Sequence, residues 1–156
     1  MPTTYEKIAT STLGSSTATV TFSSIPSTYT DLVIVVYATQ GGDVFFQLNG
    51  DTGSNYSNTY IYNSTSLGSV RTSNDTKIYI NWSSNGGNYT GTLNVMNYSN
   101  ATTFKTTLIK DNINGASVDL GVGLWRNTAA VNSISFKGAS SYGVGSSFTL
   151  YGIKAA

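Results

Sequence analysis

The sequence predicts an all-β protein, an antiparallel β-sandwich of jelly-roll or Greek-key type with about 8–10 strands. Composition is the first reason, because β-branched and aromatic residues are abundant while Glu, a strong helix former, occurs once. Spacing is the second, because short alternating segments are separated by Gly, Asn, Asp or Ser turns about every 8–12 residues. No segment shows the 3.6-residue period of an amphipathic helix. The 156 residues are predicted to form a single domain, 1–156.

The clearest strand is Thr17–Phe22, in which Ala18, Val20 and Phe22 alternate with threonines. It ends before Pro26, which cannot continue a sheet ladder. Other segments alternate in a similar way, whereas Ser64–Asn74 is predicted to be a loop. The predicted strands, in order, are Tyr5–Ala9, Thr17–Phe22, Leu32–Tyr37, Val44–Leu48, Tyr56–Tyr62, Thr76–Trp82, Tyr89–Tyr98, Phe104–Ile109, Val118–Trp125, Val131–Phe136 and Ser147–Ile153.

The segment Leu32–Tyr37 differs from the other predicted strands because it is apolar on both faces. One row of this segment is expected to join the corresponding row of Val44–Leu48 as a continuous core face. Its members are Leu32, Ile34, Val36, Val44, Phe46 and Leu48. The opposite row needs another cover, because the second face of a sandwich sheet usually meets water. We therefore predict an oligomer interface made of Val33, Val35, Tyr37 and Phe45.

Within Val118–Trp125, two glycines share a side with Asp119 and Trp125. Two glycines on one face of a strand predict the close approach of a bulky neighbour, such as an aromatic ring.

Composition excludes several kinds of chemistry. The chain has no Cys and no His, which removes disulfides, thiolate sites and the commonest general base and metal ligand. Only 10% of residues are charged and the net charge is +1, with no basic stripe for nucleic acid. No apolar run approaches the roughly 20 residues needed to span a bilayer, and the N-terminus does not resemble a signal peptide.

The carboxylates do not form an evident catalytic pair. A glycosidase needs two carboxyl groups at a defined separation. Glu6 and Asp119 are placed on polar strand faces, and the remaining five are read as ordinary turn residues at strand ends or in loops. These five are Asp31, Asp43, Asp51, Asp75 and Asp111. The prediction is that the chain is not an enzyme and carries no cofactor.

Two binding functions were weighed against structural alternatives. The loop Asn49–Asn55 has oxygen ligands of the kind Ca²⁺ prefers, but only one carboxylate, so a shaped turn is favoured and no metal site is predicted. Exposed aromatic rings can stack on sugars, although tyrosines also fill cores and interfaces. The candidate glycan contacts are Tyr56, Tyr60, Tyr62 and Trp82, together with Tyr79 and Tyr89.

Three passages together resemble a family of small virion proteins of tailed bacteriophages. They are residues 1–36, the loop NGDTGSNYS at Asn49–Ser57, and the end from GLWRNTAAVNSISF to SSFTLYGIKAA. The resemblance spans essentially the whole chain and is weakest over Tyr60–Tyr89. It implies a virion structural role, as a capsid decoration protein or a tail-associated appendage, and it carries over no site residues.

The leading hypothesis is therefore a homo-oligomeric capsid decoration or cement protein, with a trimer favoured. Its partners would be copies of itself and a major capsid or other virion protein, and its location the virion. The alternative hypothesis is a tail-fibre or tail-tip adsorption module that binds a host surface glycan.

Overall fold

A computed structural model describes residues 4–40, 42–63, 65–81 and 87–154. These residues form an antiparallel β-sandwich, so the predicted fold class is confirmed. The strands are β1 (Tyr5–Thr12), β2 (Thr17–Phe22), β3 (Asp31–Gln40), β4 (Val44–Leu48), β5 (Tyr56–Asn63), β6 (Leu67–Asp75), β7 (Ile78–Asn81), β8 (Gly87–Val95), β9 (Lys105–Ile113), β10 (Ser117–Trp125), β11 (Ile134–Tyr142) and β12 (Ser147–Ile153). No helix in this part of the chain is long and apolar enough to cross a membrane.

The two sheets differ in size. The larger has eight strands in the order β1-β12-β3-β8-β9-β10-β5-β6, and the smaller has four in the order β2-β11-β4-β7. Every pairing between neighbouring strands of the described residues is antiparallel. The sheets pack through their inner faces, which leaves each sheet an outer face.

The aromatic ring of Phe136 on β11 joins the two inner faces. Its centroid lies 6.2 Å from that of Phe22 and 6.0 Å from that of Phe46, which belong to the smaller sheet. Across the sandwich, it lies 5.3 Å from Phe148 of the larger sheet. Such ring pairs contribute about 0.5–1.5 kcal/mol each beyond the area they bury. Phe136 therefore ties the two sheets together.

The predicted core face of Leu32–Tyr37 and Val44–Leu48 is buried, but it belongs to two sheets. Leu32, Ile34 and Val36 line the larger sheet, each no more than 1% exposed. Val44, Phe46 and Leu48 line the smaller sheet and are equally buried. The chain crosses between the sheets near Gly42, whose φ of +88° suits a glycine in a tight connection. The two rows thus face each other across the core.

The prediction of a loop at Ser64–Asn74 was wrong. Residues Leu67–Asp75 form β6, the edge strand that pairs with β5. Its inner residues are only partly buried, and seven of its nine residues are polar or glycine, so the hydrophobic alternation that identifies a strand is weak here. Pairing with β5, rather than core burial, accounts for this strand.

On β10 the glycine side faces the core. An added Cβ at Gly121 would overlap the ring of Tyr60, and one at Gly123 would contact Ile78 at 2.5 Å. The predicted bulky neighbours are therefore present, and one of them is aromatic. Trp125 on the same side is 1% exposed.

Gly121→Ala should destabilise the fold by about 1–3 kcal/mol, because the new methyl group would collide with the Tyr60 ring. Urea denaturation measures the change in the free energy of unfolding. Gly14→Ala is the matched control, since an added Cβ at Gly14 meets no atom within 4 Å. A Gly121→Ala protein as stable as the control would contradict this packing.

Candidate interaction surface

The outer face of the larger sheet carries a patch of exposed apolar side chains. Because the glycines of β10 face inward, Leu120 and Val122 point outward and are 54% and 43% exposed. Strands on both sides add further apolar residues. We call this set the apolar face, and its members are Val35, Tyr37, Ile61, Leu108, Val118, Leu120 and Val122.

Strand register brings the centre of the apolar face together. Leu120 lies directly opposite Ile61 on β5, and Val122 lies opposite Leu108 on β9. Side chains in such cross-strand pairs are in contact range, with Cβ atoms about 4.5–5.5 Å apart. These four residues line a shallow groove of about 390 Å³.

A second depression extends the apolar face towards β3. It has a volume of about 310 Å³ and runs from Val118 past Lys110 and Thr92 to Val35. The register places Thr92 between Val35 and Lys110. The face is therefore an apolar centre joined to an apolar margin by threonine and one lysine.

Sheet faces that meet water are normally polar, because alternation puts the apolar residues of each strand in the core. Here β10 reverses that pattern and presents Val118, Leu120 and Val122 to solvent. Contiguous exposed apolar patches on soluble proteins mark interaction sites. This arrangement can bind another protein surface through apolar contact, with little contribution from charge.

Three of the four predicted interface residues lie on the larger sheet. Val35 and Tyr37 belong to the apolar face and are each 40% exposed. Val33 is on the same outer side but only 8% exposed, so most of its surface is already covered within the chain. Its neighbours in the sheet are Asn94 and Tyr151.

Phe45 does not share a surface with these residues, so their grouping was wrong. It lies on β4, on the outer side of the smaller sheet, which is the opposite surface of the sandwich. Its ring packs on Tyr79 with centroids 6.3 Å apart. The Lys77 Nζ lies 4.3 Å from the Phe45 centroid. Phe45 is thus partly covered by its own sheet.

The predicted aromatic cluster for glycan binding is not on one surface. Tyr56 and Tyr60 are 0% and 2% exposed, so their rings cannot stack on a sugar. Tyr62 is 38% exposed, and Trp82 lies outside the described residues. The prediction that these two rings contact a glycan was wrong, because tyrosine is as well suited to a protein core as to a binding surface.

The burial of Tyr56 has a clear structural reason. Its ring stacks on Trp125, with centroids 6.4 Å apart and planes 19° from parallel. Its hydroxyl accepts a hydrogen bond from the Leu48 N–H and donates one to the Asp51 carbonyl, both at 3.1 Å. Tyr56 therefore anchors the loop that follows β4.

That loop, Asn49–Asn55, is held as a shaped turn by its single carboxylate. Asp51 accepts hydrogen bonds from the Gly53 N–H, the Asn55 Nδ2 and the Trp125 Nε1, at 2.8, 2.9 and 2.7 Å. Burial acts to raise the pKa of Asp51, but these three donors outweigh it and lower the pKa below its ordinary value. Both oxygens of the Asp51 carboxylate therefore serve the turn.

The structure also brings two carboxylates together, which sequence reasoning missed. Asp111 on β9 and Asp119 on β10 are directly opposite each other on the inner side of the larger sheet. They are 6% and 5% exposed. Asp111 is not a turn residue, because β9 continues to Ile113, and the side of β10 that carries Asp119 is buried rather than exposed to solvent. The two groups lie side by side inside the sandwich rather than across an open groove.

Burial, followed by the charge of Asp119, raises the pKa of Asp111 to about 8. Burial also raises the pKa of Asp119. The Ser117 hydroxyl, which donates a hydrogen bond to Asp119 at 3.3 Å, acts to lower it. No group of three or more acidic side chains suited to a metal occurs in the described part of the chain. The signal available in the sequence was alternation, since Asp119 shares its side with Gly121, Gly123 and Trp125.

Comparison with known proteins adds little. No protein-family profile matches the chain, and no curated protein matches it either. Among solved structures, it is similar to an alginate lyase in complex with an alginate tetrasaccharide, at 10% identity. The match covers 82% of this chain and 72% of that one, with a TM-score of 0.32. A similarity this low supports no inference about function.

Asp51→Asn should destabilise the protein by about 1–3 kcal/mol at pH 7, because one amide oxygen cannot accept from the three donors that the carboxylate serves. The pKa of Asp51 is lowered on folding, so its contribution is present above the unfolded pKa of about 3.9 and is lost as the pH falls through the folded value. The difference between the wild type and the variant should therefore shrink in acid.

Asp31→Asn is the matched control for this experiment, since Asp31 accepts a hydrogen bond from the Asn97 N–H, and an amide oxygen can also accept it. Urea denaturation at several pH values provides the measurement. Equal losses in the two variants would contradict the role given to Asp51.

Proposed function

We propose that this chain is a structural protein of a bacteriophage virion, which assembles with copies of itself and with a capsid or other virion protein. It acts through protein–protein contacts and not as an enzyme. The observation that carries the proposal is the apolar face, on which Leu120 and Ile61 are both more than 50% exposed at neighbouring positions. Such a face is unfavourable in water and is stabilised when another protein covers it.

Self-association is supported by the weak charge of the chain. The net charge is +1 and only 10% of residues are charged, so copies of the chain repel one another little. Lys110 contributes charge beside Leu120, but the positions around it on β8 are threonine and asparagine. Two apolar faces can approach each other with few charged groups to desolvate.

The virion context is supported by the resemblance carried by residues 1–36, Asn49–Ser57 and the C-terminal region. The shape of the loop at Asn49–Asn55 fits that context, because its hydrogen bonds serve the fold and leave no evident ligand site. We propose a homo-oligomer, with a trimer favoured, located on the capsid.

The alternative, a tail module that binds a host glycan, has less support. Of the four predicted glycan contacts, Tyr62 is the one that the described residues place at the surface. A single ring 38% exposed at the end of β5 is weaker than an aromatic cluster in a cleft.

Leu120→Glu should abolish most self-association while leaving the fold intact. The new carboxylate would lie opposite Lys110 on the free protein, but it would be desolvated in an apolar interface. Loss of a central contact of this kind weakens association at least about thirtyfold. Sedimentation velocity across micromolar concentrations measures the effect.

Val144→Glu is the matched control, because Val144 is 65% exposed but lies in the turn between β11 and β12, and not on β5, β9 or β10, which carry the centre of the apolar face. It should associate like the wild type. A wild-type protein that remains monomeric at tens of micromolar would overturn the proposal, and so would equal association of the two variants.

A further inference from the structure

A cluster of buried oxygen atoms lies under β9 and β10, separate from the apolar face. Asp111 and Asp119 form its centre. Tyr60 and Tyr89, which are 2% and 1% exposed, lie beside them, and Tyr142, which is 0% exposed, lies near Tyr89. Charges on Asp111 and Asp119 raise the pKa values of both Tyr60 and Tyr89, after burial as the main cause, which places these hydroxyls near the carboxylates. We call these five residues the carboxylate–tyrosine cluster.

Glycines bring the tyrosines close to the sheet. Gly91 lies beside Asp111 on the neighbouring strand β8, and a Cβ added there would overlap the Tyr89 hydroxyl. The same added atom would lie 3.0 Å from the Cβ of Asp111. Tyr60 lies over Gly121, two residues along β10 from Asp119. Both rings thus use space that a larger residue in the sheet would fill.

The oxygen atoms of the cluster have almost no hydrogen-bond partners. Both carboxylate oxygens of Asp111 and the Oδ1 of Asp119 are unpaired, as are all three tyrosine hydroxyls. The Oδ2 of Asp119 accepts a hydrogen bond from Ser117. Among the described residues no Lys or Arg forms an ion pair with either carboxylate, and Lys110 next to Asp111 points to solvent. Buried polar groups without partners are rare in folded proteins and call for an explanation.

The chemistry of these unpaired oxygen atoms indicates what would satisfy them. Hydroxyl donors and carboxylate acceptors are both present, yet they do not hydrogen-bond with one another. Oxygen ligands lie about 2.3–2.6 Å from a Ca²⁺ ion. They are paired with the ion and not with one another. A buried pair of adjacent carboxylates is stabilised by a neighbouring positive charge, and no Lys or Arg of the described residues supplies one.

We propose that the carboxylate–tyrosine cluster binds a hard divalent cation of the Ca²⁺ type inside the sandwich. Asp111 and Asp119 supply the negative charge. Ca²⁺ takes about six to eight oxygen ligands, which two carboxylates alone do not supply. The tyrosine hydroxyls and water complete the set. Ser117 and Tyr62, which flank Asp119, are partly exposed and provide the route from solvent.

Terbium luminescence tests this proposal directly, because Tb³⁺ replaces Ca²⁺ and is excited through nearby tyrosines. The wild type should show saturable emission that Ca²⁺ displaces more readily than Mg²⁺, since Mg²⁺ demands a stricter geometry. Addition of Ca²⁺ to about 100 times its dissociation constant should raise Tm by about 5–10 °C at neutral pH.

Two variants locate the site. Asp111→Asn combined with Asp119→Asn keeps the shape of both side chains and should lose both the emission and the Tm shift. Tyr89→Phe removes only a hydroxyl and should weaken binding about 3–10-fold, with little change in stability without the cation. Asp31→Asn, at the start of β3 where Asp31 pairs with Ile153 of β12, should bind like the wild type.

Absence of saturable Tb³⁺ emission and of a Ca²⁺-dependent Tm shift in the wild type would overturn the proposal and show that protons neutralise the pair. Binding of Tb³⁺ by the double variant, Asp111→Asn with Asp119→Asn, as tightly as by the wild type would also overturn it. The wild-type result is decisive even if that variant does not fold. None of these outcomes bears on self-association, so the proposed function is tested separately.

Discussion

The hydrogen bond from the Trp125 Nε1 to the Asp51 carboxylate, together with the stacking of Trp125 on Tyr56, determines which side of β10 faces the core. A strand has a period of two, so a shift of one residue would move every side chain to the other face. Trp125 fills the core at one end of β10, and the loop after β4 holds it there. The positions of Asp119, Gly121 and Leu120 all follow from this anchor.

The consequence is a strand whose polar side is buried and whose apolar side is exposed. Inside, Gly121 and Gly123 leave space for Tyr60 and Ile78, and Asp119 meets Asp111. Outside, the apolar face has no cover within the described residues. Both halves of this arrangement are costly for an isolated monomer, since buried carboxylates and exposed apolar side chains each raise its free energy. A protein partner for the outer side and a cation for the inner side would offset these two costs.

Much of the fold could be predicted because alternation is a local property. In Thr17–Phe22 the alternation identifies Val20 and Phe22 as buried without reference to the rest of the chain. The position of Val44–Leu48 in a different sheet could not be predicted, because sheet membership depends on long-range pairing. Asp111 was read as a turn residue because it is close to Asn114 and Gly115, and nothing local shows that β9 continues to Ile113. The apolar face was only partly predicted, because hydrophobicity alone favours Leu120 and Val122 as core residues. The glycines on the other side of β10 were the better signal of which side is buried, since they make room for core side chains.

The orientation of β10 and its role in association can be tested together in this chain, because it has no native Cys. A Leu120→Cys protein carries a single thiol at the centre of the apolar face. Its rate of maleimide labelling should be fast in dilute solution and should fall steeply as the protein concentration rises into the tens of micromolar. Slow labelling in dilute solution, or a rate that does not change with concentration, would contradict the account.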